Sequence, residues 1–304
     1  MKHTNLFLES LSTESRNAVL RLCVEVDLPL RKPLYEPGDT PPYAYFMTSG
    51  IASVVAMMED GGMAEVGLIG REGVVGSFQL LGPAKVSTRC FIQLEATALR
   101  IRFAELMHVF RTNEEIRDRV LEFVQEQAVS LGQLAGCNRL HGNEERLARW
   151  LLMAQDRTHS DTLNFTQEFL AMMLGARRTT VTLIAGVLQR QGLIRYQRGK
   201  VKILDRVNLE AAACDCYRIA KELYAGLYSH AVANVQMGQT VGATASGGNG
   251  TGKTAGRYLA TATVAGGGNG GSSEPNGRLE GGRDGKARGL ARDVVKKKLK
   301  GSNG

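Results

Sequence analysis

The sequence predicts an α+β chain in four successive parts: an amino-terminal, jelly-roll-like β-roll, one long amphipathic helix, a compact helical head that ends in a hairpin, and a glycine-rich tail. Three observations predict it. Between Pro29 and Ile101 short apolar runs alternate with Gly, Pro and Asp. From Ile116 to Leu134 apolar residues recur at threes, fours and sevens. Two helical segments then meet at Gly175, ahead of a pair of short runs rich in Lys and Arg.

The 304 residues are 43% hydrophobic and 22% charged, which excludes disorder over the whole length and leaves room for two cores. Cys23, Cys90, Cys137, Cys214 and Cys216 lack the paired spacing of a secreted disulfide framework, so a reducing cytoplasm is expected and no bridge is. Met1 to Leu11 has no apolar core of signal-peptide length. No window reaches the ~18 uninterrupted apolar residues of a membrane span, so no membrane partner is expected. The net charge of +8 hints at a polyanionic partner, and its distribution says more. Residues 1–138 hold 13 Lys and Arg against 17 Asp and Glu (−4), residues 139–206 hold 12 against 6 (+6), and residues 207–304 hold 13 against 7 (+6). An acidic front precedes a basic back.

In chain order, residues 14–27 have helical spacing through Val19, Leu22, Cys23 and Val26, and a helix is expected there. The strands of the roll follow as Tyr43 to Met47, Ile51 to Ala56, Ala64 to Ile69, Cys90 to Leu94 and Ala98 to Ile101, separated by turn signals such as Pro37-Gly38-Asp39 and Asp60-Gly61-Gly62. A long helix is expected from Glu114 to Cys137. Its narrow seam of Ile116, Val120, Val124, Leu131 and Leu134 suits either a second subunit or the chain's own domain. Asn143 then caps a helix whose inner face is Leu147, Trp150, Leu151 and Ala154.

Residues 166–191 carry the sharpest signal. Thr166 can cap a helix with Phe169, Leu170, Met173 and Leu174 inward, Gly175 can take the left-handed turn, and a second helix runs from about Arg177 to Gln191. Ala171, Gly175, Val181 and Ile184 supply a small residue at the crossing, glycine in the turn and apolar residues that fix the second helix, as a helix-turn-helix requires. Arg177, Arg178, Thr179, Thr180 and Thr182 crowd the start of that second helix. The helix dipole is positive there, so two arginines are unfavourable unless an anion faces them. Arginine can bond guanine in bidentate fashion, and threonine can meet a phosphate or a thymine methyl. Leu193 to Tyr196 and Val201 to Leu204 form a hairpin around Gln197 to Lys200, made cationic by Arg195, Arg198, Lys200 and Lys202.

Over residues 5–220, and most specifically over Asn164 to Ile203, the sequence resembles the CRP/FNR family of bacterial transcription regulators. The resemblance implies a cyclic-nucleotide-binding-like roll as sensor (1–112), a dimerisation helix (113–138) and a winged helix-turn-helix (139–220), while the composition beyond predicts a short helix and then a disordered, glycine-rich basic tail (221–304). It implies a non-enzymatic homodimer on palindromic double-stranded DNA, with RNA polymerase as a further partner. The family's recognition arginine falls on Arg178 and its phosphate contacts on Thr166, Arg177 and Thr180. Thr179 stands where the best-known member has a base-reading acid, and Leu183 where it has a second base-reading arginine. The long helix is the dimer interface in this family, which assigns Ile116, Val120, Val124, Leu131 and Leu134 to it.

The effector pocket departs from the family pattern. Gly76-Ser77 stands where nucleotide-binding members carry Gly-Glu, and the phosphate arginine would fall at Val86 or Ser87, with Ser87, Thr88 and Arg89 nearby. A buried phosphate without its cation is strongly unfavourable, so no cyclic nucleotide and no other cofactor is expected. Cys23 stands alone near the amino terminus, Cys214 and Cys216 make an incomplete ligand pair, and His108, His141 and His159 lack partners at ligand spacing, so no metal is expected either. Two other readings exist. Gly247 to Thr254 spell GGNGTGKT, the phosphate-loop pattern of a nucleotide-binding protein, though no convincing strand precedes it. A sensor acting through protein partners without touching DNA is the other.

Overall fold

The computed structural model describes residues 4–82 and 85–229. The GGNGTGKT segment and the glycine-rich tail lie outside them. Helices α1 (Leu6–Glu9) and α2 (Thr13–Leu20) precede the strands of the roll: β1 (Val24–Leu28), β2 (Pro33–Tyr35), β3 (Tyr43–Met47), β4 (Ile51–Met57), β5 (Met63–Ile69), β6 (Val74–Val75), β7 (Thr88–Leu94) and β8 (Ala96–Arg102). They form two four-stranded antiparallel sheets, ordered β1-β8-β3-β6 and β2-β7-β4-β5. Phe46, Met47, Ala52, Ile92, Ala98 and Ile101 fill the space between them. Gly50 is obligatory where β3 turns into β4. Its φ is +66°, and a Cβ there would sit 2.4 Å from the Glu95 carbonyl oxygen.

The helix expected over residues 14–27 ends early. α2 stops at Leu20, and Val24–Leu28 is a strand paired with Arg100 to Ala96 of β8. Val24 and Val26 alternate with Glu25 and Asp27, a period of two that the helical spacing of the preceding residues masks.

Helices α3 (Phe103–Thr112) and α4 (Glu114–Leu140) follow the roll. The Asn113 side chain starts α4 by accepting the Ile116 N–H at 3.0 Å. The head then runs α5 (Asn143–Thr158), β9 (Thr162–Asn164), α6 (Gln167–Leu174), α7 (Arg178–Arg190), β10 (Ile194–Gln197), β11 (Lys200–Ile203), α8 (Arg206–Ala212) and α9 (Cys216–Gly226). β9 joins the expected hairpin as a third strand, in the order β10-β11-β9. At three residues it is too short to show alternation in the sequence.

The head packs on the outer face of the roll through a shared core of Ile51, Val55, Leu68 and Phe91 with Trp150, Phe165 and Leu170. Phe91 meets Phe169 edge-on at 6.2 Å, and Trp150 lies 4.8 Å from Phe165. Polar ties cross the same seam: Trp150 Nε1 donates to Glu65 at 2.7 Å, and Arg157 Nε to Glu72 at 2.8 Å. Among the described residues no single helix is long and apolar enough to cross a membrane.

Candidate nucleic-acid interface

Gly175, at φ +59°, closes α6 in the left-handed conformation, and the axes of α6 and α7 turn through 103° across it. Val181, Ala185 and Leu188 bury the inner face of α7 against α6 and α5. Thr166 accepts the Phe169 N–H at 3.2 Å and so starts α6, leaving its hydroxyl hydrogen free to donate.

With the inner face fixed, Arg177, Arg178, Thr179, Thr182 and Leu183 are exposed at the amino-terminal half of α7, and Thr180 is half-buried. No acid lies in the first turn of α7. Glu168, from α6, pairs with Arg178 at 2.9 Å with both side chains largely in solvent. An exposed pair of this kind holds by about 0–1 kcal/mol, so it orients the guanidinium without retaining it against a polyanion. The Thr182 hydroxyl lies 2.9 Å from Gln167 Oε1 and 3.0 Å from the Arg178 carbonyl. Leu183, 71% exposed, stands on the same face.

The hairpin turns through Arg198 and Gly199, both at positive φ (50° and 74°), between paired Gln197 and Lys200. That is a two-residue turn whose twist suits the strands. Arg195, Arg198, Lys200 and Lys202 are all exposed. Tyr196 anchors the hairpin by donating its hydroxyl to the Phe165 carbonyl at 3.0 Å, and its N–H bonds Gln189 Oε1 at 2.7 Å.

The long helix divides its residues otherwise than the sequence suggests. Ile116, Val120 and Val124 are buried in the core of the roll with Phe123, so no second subunit can reach them. Leu134 is half-buried and lines a cavity beside α9, whereas Leu131, 43% exposed, borders the cavity against the roll. The opposite side of α4 presents Leu121, Gln125, Ala128, Gly132 and Ala135, all exposed and spaced by threes and fours.

Between the roll and α4 lies a cavity of about 290 Å³ lined by Tyr35, Ser77, Gln79, Lys85, Ser87 and Leu131, among others. Gly76 and Thr88 also line it. Arg89 does not. Its guanidinium turns outward, 3.1 Å from Glu36 and over the ring of Phe91. Among the described residues, Lys85 is the one charged residue of the lining, and Gln79 Oε1 is buried there without a hydrogen-bond partner.

The expectation of neither metal nor cofactor is overturned by a cluster that the sequence scatters. Cys137, His141, Cys214 and Cys216 bring their ligand atoms within 4.8 Å of one another. Cys137 and His141 sit one turn apart at the end of α4, and α9 packs along α4 with Cys216 in its first turn. Hydrogen bonding with Cys214 holds the Cys137 thiol below the usual range and pushes that of Cys214 up. Only the spacings Cys-x-x-x-His and Cys-x-Cys signal the cluster in sequence, and each alone is weak.

Residues 145–212 match the Crp-like helix-turn-helix domain family. Solved structures share the wider architecture. The c-di-GMP-responsive global regulator CLP of Xanthomonas campestris is 18% identical with a TM-score of 0.53, over 63% of this chain and 99% of that one. FixK2 of Bradyrhizobium japonicum is 13% identical with a TM-score of 0.55, over 63% and 98%. A transcriptional regulator of the CRP/FNR family from Eubacterium rectale is 16% identical with a TM-score of 0.54, over 67% and 95%. No curated protein sequence matches the chain at a significant level. The matched residues define a sequence-specific DNA-binding head of the helix-turn-helix class. With its β-roll and long helix, the chain shares the fold of these regulators.

Proposed function

We propose that the chain works in the cytoplasm as a homodimer that places α7 in the major groove of a palindromic operator. Arg178 reads a base edge, Thr179 and Leu183 contact neighbouring bases, and Arg177, Thr166, Thr180 and Thr182 meet phosphates. Arg195, Arg198 and Lys200 grip the adjacent strand. The observation that carries this reading is the exposed amino terminus of α7, with two arginines and no acid in its first turn, beside a cationic hairpin.

The dimer seam we assign is the outward face of α4, from Leu121 through Ala128 and Gly132 to Ala135. Small residues there let two helices approach closely, and Leu121 is 43% exposed among the described residues. The cavity between the roll and α4 is the effector site in this reading, because a ligand in it touches Gln127 and Leu131 on the dimerising helix. RNA polymerase is the second macromolecular partner.

Selection of sites from random duplex DNA by the full chain tests the proposal. An imperfect palindrome with half-site centres about 34 Å apart is expected. Failure to enrich any sequence at low salt, or enrichment of a site without dyad symmetry, would overturn it.

A further inference from the structure

The cysteine–histidine cluster has the dimensions of a mononuclear metal site. A tetrahedral ion with sulfur ligands at about 2.3 Å and nitrogen at about 2.0 Å sets neighbouring ligand atoms roughly 3.5–3.8 Å apart. Cys137 Sγ and Cys214 Sγ are separated by 3.6 Å, and Cys216 Sγ and His141 Nδ1 by 3.4 Å. A disulfide would need about 2.05 Å. A multi-iron cluster would hold its cysteines farther apart than one ion does.

The surroundings are built for such an ion. All three cysteines are buried. His141 Nε2 lies 3.3 Å from the Asp215 carboxylate, which fixes the ring so that Nδ1 faces the sulfurs, as the outer partner of a metal-bound histidine does. Gln133 Nε2 donates to Cys216 Sγ at 3.1 Å. Arg149 is 6% exposed, its Nε has no hydrogen-bond partner among the described residues, and its charge acts on Cys137. Three thiolates around a divalent ion leave one net negative charge, which Arg149 offsets.

We propose that Cys137, His141, Cys214 and Cys216 bind one zinc ion in a closed, four-ligand site that fastens the end of α4 to the start of α9. The ligand set is soft and nitrogen-bearing, which favours zinc over magnesium, calcium or manganese. In sequence the whole DNA-reading head, α5 to α8, lies between the two ligand pairs. The ion therefore closes the base of that head where it meets the dimerising helix, and it limits how far the head can swing from α4.

The test is metal content of the full chain purified in reductant without chelator, together with cobalt(II) titration as a probe of coordination. About one zinc per chain is expected, along with the visible ligand-field bands of tetrahedral, thiolate-bound cobalt that zinc displaces. The Cys214→Ser/Cys216→Ser pair should lower zinc at least tenfold, and Cys23→Ser should leave it unchanged. Zinc retained in full by the double variant would overturn the site. If that variant does not fold, the wild-type cobalt spectrum decides, and the absence of tetrahedral bands overturns the proposal. So would a Cys137–Cys214 disulfide present throughout chain kept in reductant.

Discussion

Replacing Arg157 with alanine is expected to destabilise the folded chain by about 3–5 kcal/mol, the cost of leaving a buried partner charge alone. Arg157 reaches from α5 into the roll, where its Nε donates to Glu72 at 2.8 Å, and the two side chains are 8% and 2% exposed. Its guanidinium also donates to the Met153 carbonyl at 3.2 Å and lies over the Tyr224 ring at 5.3 Å. Glu72 bonds the Gly70 N–H at 3.0 Å through the same oxygen, and among the described residues its second oxygen has no hydrogen-bond partner. Urea unfolding followed by the fluorescence of Trp150, the sole tryptophan, measures the loss. The double change Glu72→Gln/Arg157→Met should recover much of it, because an uncharged pair of similar volume has no desolvation cost to offset. A single-variant loss below about 1 kcal/mol would show that the pair does not hold the head to the roll.

The second large effect is pH dependence through Glu65. Burial pushes its carboxyl from 4.5 up to about 7, against the hydrogen bonds from Trp150 and Ser53 and the charges of Arg149 and Arg157, which pull it down. The folded chain therefore holds this proton more tightly than the unfolded chain, and between pH 4.5 and 7 unfolding releases it. Stability accordingly falls as pH rises through that window and levels off above it. The shift corresponds to about 3 kcal/mol. Glu65→Gln keeps an oxygen to accept from Trp150 and places an amide N–H where the Ser53 hydroxyl can accept, without the charge, so it should abolish this slope and raise stability above pH 7 by about 1–3 kcal/mol. An unchanged slope between pH 5 and pH 8 in that variant would remove Glu65 as the cause.

The reach of the sequence differed from element to element for physical reasons. The roll was legible because its strands are bounded by glycine and proline turns, whereas β1 follows a helix with no turn residue between and was absorbed into it. The helical pair was legible because Ala171, Gly175 and Val181 answer steric demands local to a few residues. Side-chain direction was not. Periodicity located the apolar face of α4, but only packing shows that Ile116, Val120 and Val124 are taken up by the roll and that the free face is made of small residues with little hydrophobic signal. Arg89 likewise lies on a strand beside the cavity yet points to Glu36. The cysteine–histidine cluster was least legible, since His141 and Cys214 lie on opposite sides of the head in sequence and meet only once α9 packs on α4.

If α7 reads bases while the hairpin beside it holds phosphates, substitutions in the two must weaken DNA binding in different ways. Duplex binding by wild type, Arg178→Ala and Lys200→Ala, titrated against salt on selected and scrambled DNA, tests it most directly. Arg178→Ala should lose about 1–3 kcal/mol on the selected site and relax the preference at one base pair. Lys200→Ala should weaken both duplexes alike and lower the salt slope by about 1. Equal weakening of every duplex by both variants, with the base preference intact, would contradict the assignment of reader and grip.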